Sequence, residues 1–232
     1  MELLNAKWAV HFHLKITDRE KAIKLRIDVD YPYPSRAKSF LFTPLNSRPN
    51  RNYLKNAKII AKMINETTRK VSAYWFFTTQ TIPDKEMLDL LSSDKHEVAL
   101  HVTNNPYEEL ELLEKATKRK INYYTIHGTA RLLARIMWKR KLWENQSKIP
   151  KGFPLRSFYE FSTVGLDCLC YGNSTEQVVK IADNSVAKGV VLHIHPEWLF
   201  QRGKINHRGP FYETLKRILD VRQEGEEDAT KN

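Results

Sequence analysis

Short apolar runs alternating with segments of helical spacing restrict this 232-residue chain more than any other feature. Strand-like runs fall at 8–16, 24–30, 71–79, 97–102, 122–127, 164–170 and 189–195. Helical spacing falls at 52–68, 83–91, 106–117, 130–143, 175–187 and 211–221, and the first of these sets Leu54, Ala57, Ile60, Ala61 and Ile64 on one stripe. Alternation of this kind predicts an α/β fold with a mostly parallel sheet. Periodicity leaves open whether that sheet closes into a barrel. Residues 1–222 read as a single domain, and the acidic tail at 223–232 as disordered.

In an α/β sheet, ligands gather at the carboxyl ends of the strands. Asp28 and Asp30 end one run, His101 a second, His127 a third, and His193 and His195 the last. Asp28 and Asp30 share a strand face, roughly 7 Å apart. Buried carboxylates without partners stabilise nothing, whereas carboxylates and imidazoles at neighbouring strand ends build a hydrolytic metal site. The plainer alternative is an Asp turn into Tyr31-Pro32. His193 and His195 also share a face; the sequence does not say which of them faces the site.

Other signals admit two readings. His127 sits before Gly128, as a turn residue or as a group that polarises a substrate carbonyl. His96 reads as structural. Arg131, Arg135 and Lys139 form either a solvated helix face or a basic lip for an anionic substrate. The proline-rich segment 31–50 carries Tyr31, Tyr33, Arg36 and Arg48, suited to stacking on sugar rings and holding phosphate or simply to covering the fold. Cys168 and Cys170 read as reduced packing residues on a strand. With no apolar run near the ~20 residues that span a bilayer and no secretion signal at the start, the expected location is the cytoplasm. A formal net charge of +11 favours a polyanionic partner, whether glycan precursor, anionic membrane surface touched peripherally, or nucleic acid.

Three motifs in order resemble the polysaccharide deacetylase superfamily of carbohydrate esterase family 4. Leu25-Arg26-Ile27-Asp28-Val29-Asp30 is similar to its Thr-Phe-Asp-Asp motif. His96-Glu97-Val98-Ala99-Leu100-His101 is similar to its His-Glu-Ile-Gly-x-His segment, and Val190-Val191-Leu192-His193-Ile194-His195-Pro196 to its late Leu-x-x-His. The resemblance covers residues 24–200. It implies a distorted (β/α) barrel, commonly of seven strands, and metal-dependent removal of an acyl group, usually acetyl from an N-acetylated sugar. Carried over by position, Asp28 is the general base, Asp30 and His101 hold a divalent metal such as zinc, and His193 or His195 is the acid or a further ligand. Three departures stand out. Val29 separates two aspartates that are adjacent in the family, Asn105 stands where a second histidine is expected, and Tyr124-Thr125-Ile126-His127-Gly128 occupies the place of an Arg-x-Pro-Tyr motif.

The expected function is therefore a metal-dependent deacetylase of an N-acetylated or anionic sugar precursor, with His127, Tyr31, Arg36 and Arg131 binding substrate and Asn105 assisting at the metal. An amidohydrolase or phosphoesterase centred on His11 and His13 is the second reading. A binder of anionic glycan or nucleic acid is the third; it predicts steep salt dependence but leaves the aspartates unexplained, and the sequence carries no helix-turn-helix pattern or RNA-binding aromatic signature.

Overall fold

A computed structural model of the chain describes residues 21–29, 53–103, 105–127, 149–170, 172–196, 199 and 211–221. Seven strands lie there: β1 Ile23–Val29, β2 Val71–Phe77, β3 His96–Val102, β4 Tyr123–Ile126, β5 Arg156–Ser157, β6 Thr163–Gly165 and β7 Val191–Ile194. They form one sheet in the order β5-β4-β3-β2-β1-β7-β6, every neighbouring pair parallel. That order is chain order around a ring, with β5 and β6 as its two ends. Helices α1 Tyr53–Glu66, α2 Lys85–Leu90, α3 Pro106–Thr117, α4 Leu166–Leu169, α5 Thr175–Ala187 and α6 Phe211–Leu219 complete the described residues. The result is a distorted (β/α) barrel, open between β5 and β6.

The alternation along each strand explains the two layers. On β1, Ile23, Leu25, Ile27 and Val29 are buried with Trp75 and Phe77 of β2 and with Leu54, Ala57, Ile60, Ala61 and Ile64 of α1. The alternate residues Lys24, Arg26 and Asp28 belong to the opposite, concave face. Phe76 of β2, Ala99 of β3, Val191 of β7 and Phe158 form a separate small core, joined by Tyr74, Tyr123 and Phe161. Phe158 meets Phe76 at 5.0 Å between ring centroids, though β5 and β2 are three strands apart in the sheet. In the five-residue link 158–162 from β5 to β6, Phe158 thus plugs the interior with Phe161 beside it, while Tyr159, Glu160 and Ser162 stay exposed.

Two expectations need correcting. The run 164–170 leaves the sheet at Gly165, and Leu166–Leu169 is a helical turn with Cys170 as its C-terminal cap. Leu166 and Cys170, both fully buried, are four residues apart, a spacing that satisfies a strand's period of two and a helix's 3.6 equally well. Cys170 packs in the core, but Cys168 is exposed. The helix expected from 83 begins instead at Lys85, because Asp84 caps it by accepting the Met87 backbone N–H at 2.9 Å. The strand expected at 8–16, the helix at 130–143, the segment 31–50 and the tail 223–232 lie outside the described residues, as do His11, His13, Asp30, Tyr31, Arg36 and Arg131. No helix of the described residues is long and apolar enough to cross a membrane.

The end of β1 is pinned by a buried threonine. Thr81, fully buried, donates its hydroxyl to the Val29 carbonyl and accepts the Thr78 backbone N–H at 2.9 Å. Thr81→Val strands both backbone groups, and a loss of about 2 kcal/mol is expected, read as a lower denaturant midpoint at unchanged slope.

Candidate functional site

Asp28, on the concave face at the carboxyl end of β1, is the hub. Its carboxylate takes a two-pronged contact from Arg26, with Nε donating to Oδ1 at 2.9 Å and Nη2 to Oδ2 at 2.6 Å. Side chains two apart on one strand share a face, so the pair follows from the sequence once β1 forms. From β7, His193 Nε2 lies 3.0 Å from Asp28 Oδ2, and from β3, His101 Nε2 lies 3.9 Å from the same oxygen. Burial pushes the Asp28 carboxyl upward, but the His193 and His101 imidazoles and the Arg26 guanidinium outweigh it and hold the acid well below the usual carboxylate range.

Around this hub stand the other histidines. The His195 ring is 4.5 Å from that of His193, and its Nδ1 lies 2.8 Å from Asp167 Oδ2, a buried carboxylate on α4. His101 Nδ1 pairs with the Thr125 hydroxyl of β4 at 2.7 Å. The His127 ring is 5.2 Å from that of His101. Asn105 is half-buried as the N-terminal cap residue of α3, where its carbonyl accepts the Glu109 N–H.

Asp28, His193 and His195 each offer one ligand atom, and these three atoms lie within 4.8 Å of one another. Ligand bonds of about 2.0–2.2 Å set donors roughly 3–4 Å apart, so the group closes on an ion with small side-chain shifts. The donor set fits a metal in a second respect. Asp167 accepts the Nδ1 proton of His195 and leaves Nε2 as a lone pair, the carboxylate–histidine arrangement that orients metal-binding imidazoles.

Sequence reasoning misses Asp167 and Arg26. Asp167 lies inside the run 164–170, whose alternation fits a strand, and Arg26 lies inside the motif that carries the resemblance, so neither stands out as a partner of the site. His96, one residue out of phase with His101, points to the outer layer. There Trp75 Nε1 donates to its Nδ1 at 3.0 Å, and its Nε2 pairs with Asn65 Oδ1 at 2.9 Å. Burial first, then Lys95 and Arg119, pushes the His96 pKa down from 6.5 to about 4. The unfolded chain therefore takes up this proton before the folded one. Stability should fall as pH drops from 6.5 towards 4, by about 2 kcal/mol between pH 6.5 and 5. Urea titrations across that range should show this contribution in the wild type and not in His96→Gln, whose amide still accepts from Trp75.

Compared with known proteins, the chain matches no family model and no curated protein. It is similar to a solved CE4 family pseudoenzyme from Bacillus anthracis, with a TM-score of 0.43 at 14% identity over 87% of this chain and 61% of that one. A mutant of that pseudoenzyme with restored enzymatic activity gives 0.41 at 14% identity, over 87% of this chain and 63% of the other. The chain spans about three-fifths of the solved proteins it matches.

Proposed function

We propose that the protein is a metal-dependent hydrolase that removes an N-acyl group from an anionic sugar or glycan precursor, with zinc held by Asp28, His193 and His195. The observation that carries this reading is the convergence of those three donors at the carboxyl end of the barrel, with Asp167 behind His195. A bound divalent ion supplies a nucleophilic water and charge to stabilise the oxyanion, the two needs of amide hydrolysis. The chain's own groups do the rest. Arg26 fixes the Asp28 carboxylate in one orientation, and Asp167 fixes the tautomer of His195. His101, held by Thr125 and facing Asp28, is placed to accept and return the proton. The +11 charge favours an anionic substrate, and the sugar and acyl specificity rest on the motif resemblance.

The resemblance distributes the roles differently, with Asp28 as base, Asp30 and His101 at the metal, His193 or His195 as the acid or a further ligand, and Asn105 only assisting. Asp28→Asn separates the two assignments. Loss of bound zinc from metal-loaded protein supports Asp28 as a ligand; zinc retained with turnover abolished supports Asp28 as the base. The function itself is tested by zinc titration of chelator-treated protein and by acetate release from N-acetylated sugar phosphates. One equivalent of zinc and zinc-dependent acetate release are expected. Absence of stoichiometric binding under any loading overturns the proposal.

A further inference from the structure

Tyr159 stands in the opening of the barrel and touches both β4 and β1, which are not neighbours in the sheet. Beyond Ser157, β4 has no strand partner on its β5 side among the described residues, since their pairing ends at Tyr124 with Ser157. The Tyr159 hydroxyl takes over there: it accepts the Ile126 N–H at 3.0 Å and donates to the Ile126 carbonyl at 2.9 Å, so one phenol meets both backbone groups of the last β4 residue. The same ring lies 5.5 Å from the Arg26 guanidinium carbon, on β1, three strands from β4 in the sheet order. Phe76 holds Arg26 at the same distance from its own ring. The guanidinium that orients Asp28 is thus itself held between two aromatic rings, one in the core and one at the seam.

We propose that Tyr159 is a positioning residue that closes the open seam at β4 and, through its ring, holds Arg26 in the orientation that fixes the Asp28 carboxylate. A tyrosine serves both needs at once, because its hydroxyl replaces a missing strand and its π face attracts a cation. The geometry stands by itself; its bearing on catalysis rests on the function proposed above. The two halves separate by substitution. Tyr159→Phe keeps the ring and loses the hydroxyl, while Tyr159→Leu loses both.

Proton NMR of the metal-free protein reads both contacts. In wild type, a nuclear Overhauser contact between the Tyr159 ring and the Arg26 side chain is expected, and its absence overturns the inference without any variant. In Tyr159→Leu, the Arg26 Nε proton should exchange with water about tenfold faster than in wild type. In Tyr159→Phe the Ile126 amide should exchange faster, and the Arg26 Nε proton should speed up less than in Tyr159→Leu, because the ring stays while the hydroxyl that also hydrogen-bonds the guanidinium is lost. An unchanged Arg26 signal in Tyr159→Leu means that Tyr159 only staples the seam, and the inference fails. On the metal side, Tyr159→Leu should weaken zinc binding about tenfold. A wild type that binds no zinc overturns the proposed function but leaves the Arg26 signals to decide the role of Tyr159.

Discussion

Replacing Asp28 by leucine is expected to cost the fold about 3–5 kcal/mol, because the change leaves Arg26 buried without the carboxylate that neutralises it. Both side chains are almost fully buried, at 8% and 3% exposure, so water cannot take over the role of the lost partner. The expectation is sharpened by a second variant. Arg26→Met combined with Asp28→Leu removes both charges and fills the space with apolar atoms, and should recover most of the lost stability. Denaturant titrations of the single and double variants measure the difference directly. The two substitutions must then be strongly non-additive. Were Asp28→Leu as stable as the wild type, the Arg26 fork would not be the contact that holds the concave face together. Either variant should also fail to retain zinc, since each lacks one of the three donors.

The second large effect is expected at His195 and its partner. His195→Ala removes a donor and should lower turnover by about 10²–10⁴. Asp167→Asn keeps the shape but not the charge, and should weaken zinc binding about 10–100-fold. The cause is the tautomer. A carboxylate can only accept the Nδ1 proton, whereas an amide turned to present its NH₂ favours the opposite tautomer and takes the Nε2 lone pair away from the ion. Zinc titration against a competing chelator, with turnover measured at saturating metal, separates affinity from chemistry. If both variants bind zinc as the wild type does, His195 is no ligand, and the assignment of the ion to Asp30 and His101, with Asn105 assisting, gains instead.

Much of the architecture is legible in the chain. Helices at 106–117 and 175–187 run as their spacing predicts, the first with Pro106 in its first turn and the second capped by Ser174. The stripe from Leu54 to Ile64 faces the sheet as its spacing requires. The run 164–170 is the instructive miss, because residues four apart cannot distinguish a strand from a helical turn. That miss hid Asp167, whose side chain reaches His195 only because the chain turns into α4 after Gly165.

By itself the sequence determined the parallel α/β arrangement and the placing of acids and imidazoles at strand ends. Both follow from periodicity and from the rule that strand ends face ligands, and each needs only local information. The curling of the sheet decided the rest. It brought Arg26 beneath Tyr159 and set His193 beside Asp28. It also left an opening between β5 and β6 that a tyrosine side chain helps to close. Contacts between residues more than a hundred positions apart depend on strand order and register, which no local pattern of side chains encodes.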